Sequence, residues 1–501
     1  MNADYELIKN IERSIPCFDD YIAGEGCEGI EYPLDNEVRN ILFEQIASSE
    51  DADNFEIYKR IEEVKGLWAT LIKKSIITLR YFDKREPFYG NKEKYPIAYG
   101  VEELNSYFHK YVDFESALYG GTQYYRDHVV HVFRVWLLGI RLLLNKENKL
   151  LKQISIDDKC NTNAFEKLSV WTLIALTHDL GYPLEKAQEI IGKTRDMMKS
   201  FVANPIISMD LSFSGIQNSM NDFVLRFMSS KMVPKQMPDN EEFKYVARLQ
   251  PKYLFKFQKS LERNKHGILS ALVIYKLLRY FLESDYCTNE DYYFKEEDAR
   301  QFYIRREILR AISAHTCHDI YHMNYKNFSF LLILCDDAQE WGRKYITELY
   351  VNSPLRYTFN GIHVSLKNEE HDGKNIDIAS ISIDETYCKV NNEDSIKYIF
   401  KRFISISRDY NEIFRDGQET GSRNFEFAKK TIIDNGKNDE SVKIHFVLEV
   451  SREKASTITA QIVASEYDSD DAKRFLTILS SLFGKDPDGE HKWASKLTDL
   501  K

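Results

Sequence analysis

His178 and Asp179 stand side by side in the stretch LTHDLGYP, at the end of an apolar run from Leu168 to Leu180 broken mainly by Ser169, Thr172 and Thr177. Burying a carboxylate beside an imidazole is costly unless something compensates, and a bound cation is the usual compensation. The pair therefore reads as metal ligands, against the plainer alternative of a core histidine next to a surface aspartate. His131, His266, His315 and Asp336 are placed in the same way, each ending, beginning or interrupting an apolar helical stretch. Neutral imidazoles and anionic carboxylates are the donors that divalent transition metals prefer.

Each of these residues needs an element to hold it. In YYRDHVVHVFRVWLLGIRLLL, His128 and His131 share a helical face, and Val135 and Gly139 continue the face of His131 at four-residue steps. Gly139 would let another helix approach closely. The HD segment lies on a second helix, which Gly181 and Pro183 interrupt before an amphipathic stretch from Leu184 to Phe201. His266 opens the helix HGILSALVIYKLLRYFL, whose small residues Gly267, Ser270 and Ala271 permit close packing. In REILRAISAHTCHDIYH, Ile308, Ile312 and His315 share one face, with His318 three residues further on. The apolar segment FSFLLILCDDAQEWGR ends in Asp336-Asp337. One continuous helix would hold His315 and Asp336 about 30 Å apart, so a shared centre puts them on different helices, with Tyr325-Lys326-Asn327 as the turn.

Around these elements the chain divides into three parts. Residues 1–115 read as a helical region packing on the core, with Phe55, Tyr58, Ile61, Val64 and Trp68 at helical spacing in a segment from Asp53 to Phe82. Within it IAGEGCEGIEYPLDNE reads as a loop whose acidic residues face solvent or a cation. Residues 116–350 form the domain carrying the candidate ligands, helical with strand signals almost absent and less regular over 202–250. In that domain Lys252, Lys256, Lys259, Arg263 and Lys265 are interleaved with Tyr253, Phe255 and Phe257, a pattern that suits phosphates and stacked bases or a solvated helix face. The stretch ESDYCTNEDYYFKEED reads as an inserted loop, a lid or a surface insertion. Residues 355–501 read as a separate α+β domain of unknown role. Asn360-Gly361 marks a hairpin, Val442 to Val450 and Ile458 to Ala464 alternate as a strand pair, and helices run through Ile396 to Ile404 and Ala472 to Phe483.

Composition narrows the classes. The 501 residues carry a formal charge of −10, which argues against nonspecific nucleic-acid binding by the whole surface and leaves local basic patches open. MNADYELIKNIERS lacks a basic lead before an apolar core, and no run reaches membrane-spanning length, so the expectation is a soluble cytoplasmic protein. Seven cysteines without a CxxC pair argue against a zinc ribbon or a disulfide framework.

Taken in order, a first His, the HD pair, two further His and a late Asp resemble the HD superfamily of metal-dependent phosphohydrolases. The resemblance covers roughly residues 120–345 and is most specific in THDLGYP, KHGILSA and LLILCDDAQEWGR. It implies a mainly α, HD-type helical bundle followed by the C-terminal α+β domain, with one divalent metal on His131, His178, Asp179 and Asp336. Asp179 would bridge to a second metal held by His266 and His315. His128 is the alternative to His131, and Asp337 to Asp336. The metals would be drawn from Mn, Fe, Mg, Co or Ni, and a bridging hydroxide would attack a phosphate ester. His128, Lys265, Arg126 and His318 are candidates to protonate or neutralise the leaving oxygen, Arg126 and Lys265 also to clamp phosphates.

Departures from subgroup patterns bear on the substrate. Deoxynucleotide triphosphohydrolases share HD-x-G but usually place His after the glycine, where this chain has Tyr182. The Gly181-Tyr182-Pro183 triplet follows the HD pair directly, unlike the signature of the cyclic-dinucleotide phosphodiesterases, and no helicase motif accompanies the site. The expectation is a phosphohydrolase or phosphodiesterase acting on a nucleotide or related phosphate ester. The alternatives are a nuclease on single-stranded nucleic acid and a nonenzymatic nucleotide-responsive protein with a structural metal. No membrane partner is expected, and oligomerisation through the C-terminal domain is open.

Overall fold

In a computed structural model, which describes residues 2–25, 29–47, 49–52, 54–85, 100–121, 127–145, 150–157, 160–201, 216–236, 243–284, 286–289, 291–317, 320, 326–339, 341, 356–371, 374–413, 425–450, 456–484 and 489–500, several helix starts carry polar side-chain caps. Asn2 accepts from the backbone of Asp4 and Tyr5 to begin α1 (Ala3–Ile22). Asp127 caps α4 (His128–Leu144) and Asn163 forms a reciprocal capping box with Glu166 at α5 (Ala164–Thr177). Asn327 caps α11 (Phe328–Ala338). Between these lie α2 (Ile61–Tyr81), α3 (Val101–Gly121), α6 (Tyr182–Met198), α7 (Ile216–Met228), α8 (Pro251–Glu262), α9 (His266–Leu277) and α10 (Glu296–Ala314).

Helices α4 and α5 are apolar almost all round and are buried along their length, which makes them the centre of the bundle. α1 packs on α4, α2 on α5, and α10 contacts α5, α9 and α11. The α4–α5 crossing is close because Gly139 has no side chain: a Cβ there would lie 2.0 Å from the Trp171 ring. Two hydrogen bonds lock the crossing, Trp171 Nε1 to the Trp136 carbonyl at 3.1 Å and Trp136 Nε1 to Thr172 Oγ1 at 3.0 Å.

Two readings of the sequence need correction and a third is narrowed. The region read as almost free of strands contains an antiparallel hairpin, β1 (Ser230–Gln236) with β2 (Phe243–Leu249). The helix read from Asp53 to Phe82 begins as a 3-10 turn, Glu56–Arg60, before α2 takes over at Ile61. The acidic stretch after α9 is pinned at two places: the Tyr286 ring packs against Phe223, Phe227 and Phe302, and Phe294 exchanges backbone hydrogen bonds with Tyr245 of β2. It is a packed insertion at those points.

The C-terminal part is a six-stranded mixed sheet in sequence order, β3 (Arg356–His371), β4 (Lys374–Cys388), β5 (Phe425–Asp434), β6 (Val442–Val450), β7 (Thr457–Ala464) and β8 (Lys492–Lys496). All neighbours are antiparallel except β4 and β5, which run parallel because α12 (Glu393–Ile413) carries the chain across. α13 (Asp470–Phe483) joins α12 on the same face, where Phe400, Phe403 and Phe483 surround Phe446. Asn360-Gly361 is not a turn. It lies inside β3 at an irregularity of register between Phe359 and Gly361, and the ladder continues to His371 opposite Lys374. Among the described residues, no helix is long and apolar enough to cross a membrane.

Candidate metal centre

Five helix ends or faces converge on Asp179. His131 projects from the first turn of α4, His178 is the C-cap of α5, His266 opens α9, His315 is the C-cap of α10, and Asp336 lies in the last turn of α11. Glycines allow the convergence: a Cβ on Gly181 would lie 2.4 Å from the His266 carbonyl, and one on Gly267 would lie 2.6 Å from the Ile312 carbonyl.

The two oxygens of Asp179 face different partners. Oδ2 lies 3.4 Å from His178 Nε2 and 3.6 Å from His131 Nε2. Oδ1 lies 3.3 Å from His266 Nε2 and 3.7 Å from His315 Nε2. Asp336 Oδ1 completes the first group, 2.9 Å from His131 Nε2 and 3.8 Å from His178 Nε2. His131, His178 and Asp336 form one set able to hold a metal ion, and His178, Asp179 and His315 form another, with ligand atoms within 4.8 Å of one another. Asp336, and not its neighbour Asp337, belongs to these groups.

The far side of each imidazole explains why the Nε2 atoms point inward. His178 Nδ1 meets the Ala175 carbonyl at 2.8 Å and His315 Nδ1 meets the Ile312 carbonyl at 2.5 Å, each using a carbonyl left unfilled at its own helix end. His131 Nδ1 is 2.6 Å from Gln339 Oε1, and His266 Nδ1 is 2.8 Å from Glu185 Oε2. Acceptors at all four Nδ1 positions fix the Nδ1–H tautomer of the neutral ring and leave the Nε2 lone pair toward Asp179. The Nε2 atoms of His178 and His315 are buried without a hydrogen-bond partner, a costly arrangement for a polar core and an apt one for ligands.

Electrostatics agree with the geometry. Burial works against ionisation of Asp179, but His178, His315, His266 and His128 outweigh it and hold the carboxyl well below its usual range. Burial likewise opposes the Asp336 anion, and His131 and His178 hold it well down. His178 is pushed down by burial and lifted further by Asp179 and Asp336, to about 9. His315 is lowered, by burial first and then by the neighbouring imidazoles. Asp336 and His266, with side chains 26% and 19% exposed, open the site to solvent, whereas His178 is fully enclosed.

The remaining sequence candidates divide. His128 is buried, with Nε2 4.0 Å from Asp179 Oδ2, and its ring packs on Tyr182 with centroids 4.0 Å apart. Lys265 reaches the rim and pairs with Glu185 at 3.2 Å. Arg126 and His318 lie outside the described residues. Two contributors escaped the sequence reading, Glu185 and Gln339. Glu185 accepts from both the backbone and the ring of His266, and although burial pushes its carboxyl up, His266 and Lys265 bring it down to about 2. The available signal was its place one turn into the helix after the HD pair. No protein-family model, curated protein or solved structure matches the chain.

Proposed function

We propose that the chain is a metal-dependent phosphohydrolase or phosphodiesterase of the HD type, acting on a nucleotide or related phosphate ester. One observation carries the reading: four Nε2 atoms, each on a ring whose Nδ1 meets an oxygen acceptor, converge on a single carboxylate that offers one oxygen to each of two ligand groups. His131, His178, Asp336 and Asp179 Oδ2 would hold one divalent cation, and Asp179 Oδ1, His266 and His315 a second. Two such cations supply Lewis acidity for phosphoryl oxygens and lower the pKa of water between them. The protein residues then position and protonate. His128, enclosed beside Asp179, is placed to protonate a leaving oxygen, and Lys265 at the rim, tied to Glu185, is placed to meet an incoming phosphate. Substrate enters over Asp336 and His266, the exposed side of the cluster.

Elemental analysis of the purified full chain, joined to a screen of mononucleotides, cyclic dinucleotides and simple phosphate esters with Mn²⁺ or Mg²⁺, tests this. The expected result is bound divalent metal and a hydrolysis that chelator and His178→Ala both abolish. Absence of bound metal at any reasonable occupancy sinks the reading. Bound metal with no hydrolysis favours a nonenzymatic nucleotide-responsive protein. A nuclease reading draws on one further feature, the outer face of α8, where Phe255 is 68% exposed beside exposed Lys252 and Lys259 and the chain leads directly to Lys265 and His266. Single-stranded DNA and RNA belong in the same screen, and their cleavage in preference to mononucleotides selects that reading.

A further inference from the structure

His131 owes its alignment to a chain of hydrogen bonds that ends in the first helix. Gln339 Oε1 accepts from His131 Nδ1 at 2.6 Å, and the Gln339 amide nitrogen donates to the Trp341 carbonyl at 2.9 Å. That carbonyl also accepts from Arg134 Nη1 at 2.8 Å. Asp4 holds both halves of this node: its Oδ1 accepts from Arg134 Nε at 2.9 Å and from Trp341 Nε1 at 2.8 Å, and its Oδ2 from Arg134 Nη2 at 2.7 Å. Asp4, Arg134, Gln339 and Trp341 are all buried.

We propose that Asp4 is a positioning residue for the metal centre, fixing the Trp341 carbonyl and through it the orientation of the Gln339 amide and the tautomer of His131. The inference rests on reading the cluster as a metal site. A buried Asp–Arg pair is no necessity for stability, since apolar side chains of similar volume commonly serve as well. What this pair adds is direction. With the Trp341 carbonyl displaced, the Gln339 amide is released to turn its NH₂ toward His131. Nδ1 would then accept, the proton would move to Nε2, and the lone pair needed at Asp179 and Asp336 would be gone.

The test is a calorimetric titration of the chelator-stripped full chain with Mn²⁺, reading the number of sites and the affinity of each. Asp4→Asn is expected to weaken one of the two sites by roughly tenfold or more and leave the other. Adding Gln339→Glu to it is expected to restore most of the loss, because a carboxylate has no donor to present to His131 in either orientation. A purely structural Asp4 predicts no such rescue, since the second change only adds a buried charge. Wild-type affinity in Asp4→Asn, or a loss that Gln339→Glu does not repair, overturns the proposal. If Asp4→Asn does not fold, Trp341→Phe, which removes one donor to Asp4 and keeps an aromatic ring, takes its place with the same two readings. A wild-type chain that binds no Mn²⁺ overturns the metal reading itself and this inference with it.

Discussion

At the scale of single residues, the four imidazoles are aligned in two different ways. Backbone carbonyls align His178 and His315, whereas side chains align His131 and His266. Replacing Glu185 with Gln removes the anion behind His266, and the expected result is a roughly tenfold weaker second cation with the first little changed. Titration with Mn²⁺ checks this, and equal weakening of both sites would contradict the assignment. His178 sets a pH dependence. With its pKa at about 9 in the metal-free site, lowered by burial but raised more by Asp179 and Asp336, the ring contributes stability to the metal-free fold that is fully present below pH ~6.5 and is lost as pH rises from there through about 9. A cation requires the neutral ring, so binding displaces a proton and tightens over the same window. The rise in Tm produced by Mn²⁺ should therefore grow between pH 6.5 and 9, and a constant rise would refute the link. The residues of the cluster were legible because histidines and aspartates at the ends of apolar helices are out of place unless something there compensates them. Glu185 and Gln339 were not, because the rings they orient lie 81 and 208 residues away in the chain and only tertiary packing brings them together.

At the scale of elements, the α4–α5 crossing makes the sharpest prediction. Gly139→Ala places a methyl 2.0 Å from the Trp171 ring, and an overpacked core of this kind costs about 1–3 kcal/mol. Gly66, on the exposed face of α2 with nothing near its Cβ position, is the control: Gly66→Ala should stabilise by about 0.5–1 kcal/mol. Denaturant midpoints of the two variants should move in opposite directions. Helices with strong apolar periodicity were readable, as was the β6–β7 pair with its strict alternation. Strand β1 was hidden by Pro234 and its lysines, which break the pattern of a buried strand. Strand β5 was hidden for a related reason, since Lys429 sits in its inward-facing series and pairs there with Glu385 at 3.2 Å. Asn360-Gly361 misled because the dipeptide is compatible with a bulge within a strand as well as with a turn.

At the scale of the whole molecule, the candidate metal ligands all lie in the helical bundle and none in the C-terminal sheet, among the described residues. All the candidate ligands belong to the bundle, so saturating Mn²⁺ at a hundred times its dissociation constant should stabilise the bundle by about 2.7 kcal/mol for each site filled and leave the sheet domain unchanged. Calorimetry should show the metal moving one transition and not the other; a uniform shift of the entire unfolding profile would argue against that division. The order of the sheet was beyond the sequence, because alternation marks strands but does not say that β4 and β5 run parallel. The spread of the ligands along the chain has a further consequence. His131 and Asp336 are 205 positions apart, so a cation held by both closes a long loop and removes conformational freedom from the unfolded chain, as a cross-link does. Among the described residues, no disulfide joins Cys17, Cys160, Cys287, Cys317, Cys335 or Cys388 to another. The staples among the described residues would thus be ones that a chelator cuts and a reductant leaves intact.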